Sequence, residues 1–310
     1  MTAAASAPGL HEENGSPHRG FDGALAGAAA PASGASRPIK PRLPQLAIDG
    51  GLPRHWAFGN VIATALIDSV SMLFPAGERF FVRSVHHYLQ KANLPDDLRA
   101  QIQGFFAQEG RHAQQHERVN RVLNQQGYDV RLFLRLYERI CYDWLERFTP
   151  PALHLSATAA AEHFTAIMAD NFLRMDELTA NLDPTMRRLL LWHAAEEIEH
   201  KAVAFDVLSR VSPSYAMRLA GLVFASAILG AFWFAGTCLL IKQESRLVGW
   251  ARIRHDLQRL RQLRKERGRR GIVADVFAKG IRQYLRRDFH PNDIDNYDLA
   301  MQYLASDGLN

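Results

Sequence analysis

The stretch 192–206, WHAAEEIEHKAVAFD, decides the fold. It has no Gly or Pro, and its Ala, Glu and Lys favour a helix. On a helix, residues at i, i+4 and i+7 share one face. His193, Glu197 and His200 have that spacing and form one stripe. Two imidazoles and a carboxylate on one stripe can close on a metal ion, provided other helices bring more ligands.

The rest of the chain contains them. Glu109 and His112 make an E-x-x-H pair, and Glu197 and His200 repeat it. Each pair follows a glutamate on an earlier helix. Glu78 lies 31 residues before Glu109, and Glu162 lies 35 before Glu197. One E-x-x-H on a helix is common by chance, but two at near-equal spacing with matching upstream acids are not. The order Glu, Glu-x-x-His, Glu, Glu-x-x-His is the ligand pattern of di-metal carboxylate bundles. Four glutamates offset the charge of two divalent ions. Carboxylate and imidazole suit iron and manganese, and zinc is an alternative. Buried carboxylates without a cation would be costly or would bind protons.

Patterning elsewhere is helical. Segments 54–73, 75–92, 96–126, 130–147, 152–176 and 184–211 read as helices, punctuated by Pro75, Gly127, the Pro150-Pro151 pair and Asp183-Pro184. No stretch alternates as a strand does. The fold class is all-α: a ferritin-like helical bundle with a C-terminal apolar helix and a basic helical extension. Three regions are expected. Residues 1–50, rich in Ala, Gly, Pro and Ser, form a disordered tail ending in the extended linker RPIKPRLP. Residues 51–212 form the di-metal bundle, and residues 213–310 carry the C-terminal helices.

Residues 219–241 hold no charge and are flanked by Arg218 and Lys242. The segment is long enough to cross a bilayer core of roughly 30 Å. Residues 246–270 then carry ten Lys and Arg against Asp256 and Glu266. Cys141 and Cys238 are the only cysteines, and no secretory signal opens the chain. The expected location is cytoplasmic, with attachment to the inner face of the membrane through 219–241. A re-entrant or in-plane helix, broken at Gly230, would let the basic run meet an anionic lipid surface. The competing reading is a buried helix or a homodimer interface packed through Gly221, Ala225 and Gly230. RLRQLRKERGRR, residues 259–270, has no interleaved aromatics, so no nucleic-acid partner is expected.

The motifs FPAGERFF, EGRHAQQHERVN, WHAAEEIEHKAVAFD and FHP resemble the bacterial predicted metal-dependent hydrolases, a ferritin-like group, over about residues 45–295. The ligand pattern also resembles that of the di-iron arylamine N-oxygenases, whose last ligand helix reads His-x-x-x-Glu-x-x-His. That resemblance implies seven ligands: Glu78, Glu109, His112, Glu162, His193, Glu197 and His200. His116 shares the face of Glu109 and His112 and is expected to bond a ligand carboxylate. Asp206 is a candidate for orienting a ligand histidine. Glu196 and Glu199 point off the stripe and are expected in solvent or on arginine. FHP is expected to fold the C-terminus back onto the bundle.

The functional expectation is a di-iron enzyme using O2 and an electron donor to oxidise or oxygenate a small organic substrate. The alternatives are a metal-dependent hydrolase with a metal-activated water, and a non-catalytic, membrane-associated iron-binding protein.

Overall fold

The long runs free of helix breakers become long helices. The computed structural model describes residues 38–48, 50–175, 179–266 and 277–309. Most of the expected disordered tail, and residues 267–270 of the basic run, lie outside them. Helix α1 is Val61–Ser71, α2 Phe74–Leu89, α3 Asp96–Gln125 and α4 Arg131–Glu138. A π-helical turn, Arg139–Leu145, and a short turn, Glu146–Phe148, extend α4. Then come α5 Pro151–Leu173, α6 Pro184–His200, α7 Val203–Val211, α8 Tyr215–Glu266, α9 Ala278–Tyr284 and α10 Tyr297–Ser306. No strand occurs among the described residues. Ala57 and Leu182 make an isolated bridge.

Local chemistry sets the ends. The Asn60 side chain caps α1 by accepting from the Ala63 amide. Asp183 accepts from the Thr185 and Met186 amides, and Pro184 opens α6. Gly127, at φ 89°, closes α3 in the left-handed conformation that glycine adopts without strain.

Four helices form a closed ring: α2 packs on α3, α3 on α6, α6 on α5, and α5 on α2. Its interior is layered. One apolar cluster holds Phe80, Ile102, Phe105, Leu155 and Val207. Another holds Val119, Val122, Leu173, Leu189 and Trp192. Along α3 the buried residues run from apolar Leu98–Phe105, through polar Gln108, Glu109, His112 and His116, to apolar Val119 and Val122. The polar layer is therefore sealed along the bundle axis by apolar side chains on both sides.

Three expectations need correction. The stretch 192–206 is not one helix, because α6 ends at His200 and α7 starts at Val203. The apolar segment does not break at Gly230; α8 bends at Gly249, where φ is 76° and ψ 157°. Residues 38–48, counted within the tail, run extended across the bundle with Leu46 and Ile48 buried. They are held because apolar side chains seat in the core and Arg42 meets buried acids.

Helix α8 lies along α5 and α1. A Cβ on Gly221 would come within 2.1 Å of Ser156 Oγ, so only glycine permits this approach. Ser69 and Thr237 hydroxyls meet at 2.7 Å. Phe289 of the FHP motif is buried against His163, Tyr284 and Phe205, which folds the C-terminus back as expected.

Candidate metal centre

Each helix of the ring sends acids or imidazoles inward. Glu78 comes from α2, Glu109, His112 and His116 from α3, Glu162 from α5, and His193, Glu197 and His200 from α6. All are buried, and Glu162, His112, His116 and His200 are fully so. The seven residues expected as ligands therefore converge in the polar layer.

Their reactive atoms face one another. His200 Nε2 lies 3.1 Å from Glu109 Oε1 and 3.3 Å from Glu162 Oε2. His193 Nε2 lies 2.8 Å from Glu197 Oε1 and 3.6 Å from Glu78 Oε1. His112 Nδ1 is 3.6 Å from Glu197 Oε1 and 3.9 Å from Glu109 Oε1. Yet both oxygens of Glu78, Glu109 and Glu162, Oε2 of Glu197, Nδ1 of His112 and Nε2 of His200 complete no hydrogen bond among the described residues. Buried polar atoms are normally satisfied. Here nine unsatisfied atoms point at one another, the donor arrangement a cation would complete. Four overlapping triads place donor atoms within 4.8 Å: Glu78–His116–His193, His112–His193–Glu197, Glu78–Glu109–His112 and Glu109–Glu197–His200.

The far nitrogen of each imidazole is held from behind. His112 Nε2 meets Glu196 Oε2 at 2.9 Å. His193 Nδ1 meets His116 Nε2 at 2.7 Å, and His116 Nδ1 meets Ser71 Oγ at 2.7 Å. His200 Nδ1 meets Gln108 Oε1 at 2.8 Å. Such bonds fix ring orientation and tautomer in metal sites. Rings wall the layer: Phe74 lies 4.7 Å from both His116 and His193, Phe105 5.0 Å from His200, and Trp192 4.8 Å from His112.

Crowding sets the electrostatics. Burial, then the neighbouring carboxylates, pushes Glu78 well above the usual carboxylate range. Burial also raises Glu109, and lifts Glu162 to about 7. Burial acts on Glu197 too, but His200 and His193 outweigh it and hold Glu197 well below its ordinary value. Burial and the facing His193 keep His112 and His116 neutral. His200 is raised: burial opposes its charge, and Glu197 and Glu162 outweigh burial. The layer thus favours charge on His200 beside Glu197 and protons on Glu78, Glu109 and Glu162, which a cation would replace.

Two expected roles move. His116 bonds His193 rather than a ligand carboxylate, because it sits one turn beyond His112 on α3, level with His193. Asp206 orients no histidine of the layer. It lies on α7, past the break after His200, and meets His290 Nε2 at 2.9 Å.

Glu196 and Glu199 do pair with arginine, but inside the protein. The Arg42 amide donates to Glu196 Oε1 at 3.0 Å, and its guanidinium donates to Glu199 Oε2 at 2.7 Å. Burial raises Glu196 to about 8. Gln108, Arg42 and Ser71, and the bond of Glu196 to His112, were not found from the sequence. A signal for the buried acids existed. Leu189, Trp192, Ala195 and Ile198 are apolar on more than one side of α6, which marks a helix buried all round.

A family model described as predicted metal-dependent hydrolase matches residues 40–295. Comparison with curated proteins and with solved structures gave no significant match.

Proposed function

The chain belongs to the predicted metal-dependent hydrolase family; from its buried acid–imidazole layer we propose a di-iron enzyme that oxidises or oxygenates a small organic substrate with O2. The observation that carries this reading is the third imidazole: His193 joins His112 and His200 around four carboxylates. When bound, two irons would supply O2 activation and electron transfer, which no side chain here can perform. Glu78, Glu109, Glu162, Glu197, His112, His193 and His200 would hold them.

The chain's own residues do the rest. Glu196, His116 and Gln108 aim the three imidazoles. Phe74, Phe105 and Trp192 exclude bulk water, which strengthens every charge interaction within the layer. Protons held on Glu78, Glu109 and Glu162 leave as metal enters. A small organic substrate and an external electron donor complete the reading.

The test is metal analysis of protein purified without oxygen, followed by exposure to O2. Two irons per chain and a transient visible absorption band are expected. Zinc or manganese, with no O2-dependent band, would sink the iron reading. The family description favours a second reading, hydrolysis by a metal-activated water. It predicts ester or amide cleavage that persists in the absence of O2.

A further inference from the structure

The geometry points to a membrane-docking face made by two adjacent helices, α4 with its π-helical extension and the first half of α8, whose partner is an anionic lipid bilayer surface. The face is one-sided. Along α8, Gly221, Leu222, Ala225, Gly236, Thr237 and Leu240 are buried against the bundle. Val223, Ala227, Ala231, Phe234 and Cys238 are exposed on the opposite side. Phe234 is 73% exposed and Val223 68%. A helix pinned along one side cannot cross a bilayer by itself, but its free side can lie in the interface.

The second stripe was not expected from the sequence. Leu132, Leu136, Ile140, Trp144 and Phe148 recur every four residues and are all exposed, Trp144 at 61% and Phe148 at 67%. Beneath them Phe133, Tyr137 and Cys141 anchor the segment inward. Phe133 and Tyr137 meet Phe232 of α8, with ring centres 6.0 and 4.8 Å apart. The two stripes therefore flank one seam, and adjoining rows of exposed apolar side chains mark an interaction surface.

Charge selects the occupant. Between 242 and 266, Lys242, Arg246, Arg252, Arg254, Arg259, Arg261, Arg264 and Lys265 are exposed, while of the three acids Glu244 and Asp256 are each 1% exposed and Glu266 alone is exposed. Leu247 and Trp250, 64% and 57% exposed, stand where the apolar stripe gives way to this basic run. Along α4 and its extension Glu138 and Glu146 are matched by Arg79 and Arg83, and Asp143 is exposed, while Arg135, Arg139 and Arg147 form no ion pair among the described residues. Apolar and aromatic side chains bordered by cations fit anionic headgroups over a hydrocarbon layer. A second copy of this chain would bring the same positive charge against itself.

The test is flotation of the full-length protein with vesicles of phosphatidylethanolamine and phosphatidylglycerol, against vesicles of phosphatidylcholine alone. The expected result is flotation with the anionic vesicles that weakens as salt is raised. Trp144→Glu with Phe234→Glu should lower the partition coefficient at least tenfold, with the far-ultraviolet circular dichroism of the parent. Brominated lipid should quench the parent's tryptophan fluorescence, and quench Trp144→Phe/Trp250→Phe less. Protein that stays at the bottom with both vesicle types overturns the proposal, as does unchanged flotation of the double glutamate variant. A soluble dimer that these substitutions dissociate, with no flotation, would give the face to a second copy instead.

Discussion

The Nε2 atom of His112 stands 2.9 Å from Oε2 of Glu196, and the other oxygen of Glu196 accepts the Arg42 amide. One buried carboxylate thus ties an imidazole of the polar layer to the extended segment crossing the bundle. Glu196→Ala frees the His112 ring and leaves two buried donors unpaired. Metal affinity, measured by competition with a chelator, should fall roughly 10- to 100-fold. Glu196→Gln keeps an acceptor oxygen and should lose less. Equal affinity for all three proteins would remove Glu196 from the support of the site.

His193 separates a six-residue donor set from a seven-residue one. His193→Ala should lower iron occupancy or move the visible absorption of the O2-treated protein, while His116→Ala should weaken binding through loss of the 2.7 Å bond to His193. Metal content and spectrum of both variants, purified without oxygen, check this. If His193→Ala keeps the parent's iron and spectrum, His193 is no ligand.

Metal removal should change how stability depends on pH. A carboxyl raised in the folded state stabilises fully below its unfolded value, roughly 4.3. That contribution is lost as pH rises through the folded value, about 7 for Glu162. Chelated protein should therefore melt at a lower temperature at pH 8 than at pH 6. Bound metal replaces the protons, so the gap in Tm between loaded and chelated protein should widen over that interval. A constant gap in thermal scans would show that these carboxyls ionise normally.

Two glycines of α8 should respond in opposite directions. Gly221→Ala drives a methyl against Ser156 Oγ and its carbonyl carbon, at 2.1 and 2.4 Å. It should cost about 1–3 kcal/mol by overpacking. Gly230 has nothing within 4 Å, and Gly230→Ala should gain up to about 1 kcal/mol of helix propensity. Denaturant midpoints report both. A neutral Gly221→Ala would mean that α8 does not pack this closely on α5.

Helical periodicity carried much of this architecture. An i, i+3, i+4, i+7 spacing places side chains on one face wherever the helix packs, so Glu109, His112, Glu197 and His200 were readable as inward-facing. Spacing along a chain does not say which helix lies opposite, however. The bonds of Glu196 to His112 and of Gln108 to His200 join residues 84 and 92 positions apart and depend on how α3 meets α6. Asp206 was misread for a related reason. Counting forward from His200 assumed a continuous helix, and the chain bends at Lys201 and Ala202. The exposed stripe from Leu132 to Phe148 has the period of an amphipathic helix, which alone cannot say which side faces out.

The segment at 38–48 also sets an order of events. Arg42 meets Glu196 and Glu199, which follow it by 154 and 157 residues. Closing a loop of that length carries an entropic cost on the order of 4 kcal/mol, met only when both ends can bind. During synthesis the earliest of the described residues must therefore wait until α6 has emerged. A nascent chain that has not yet reached residue 200 lacks His200, so no complete donor set exists to capture metal before then. Loading of the polar layer is thereby coupled to near-completion of the bundle, with the N-terminal segment among the last parts to settle.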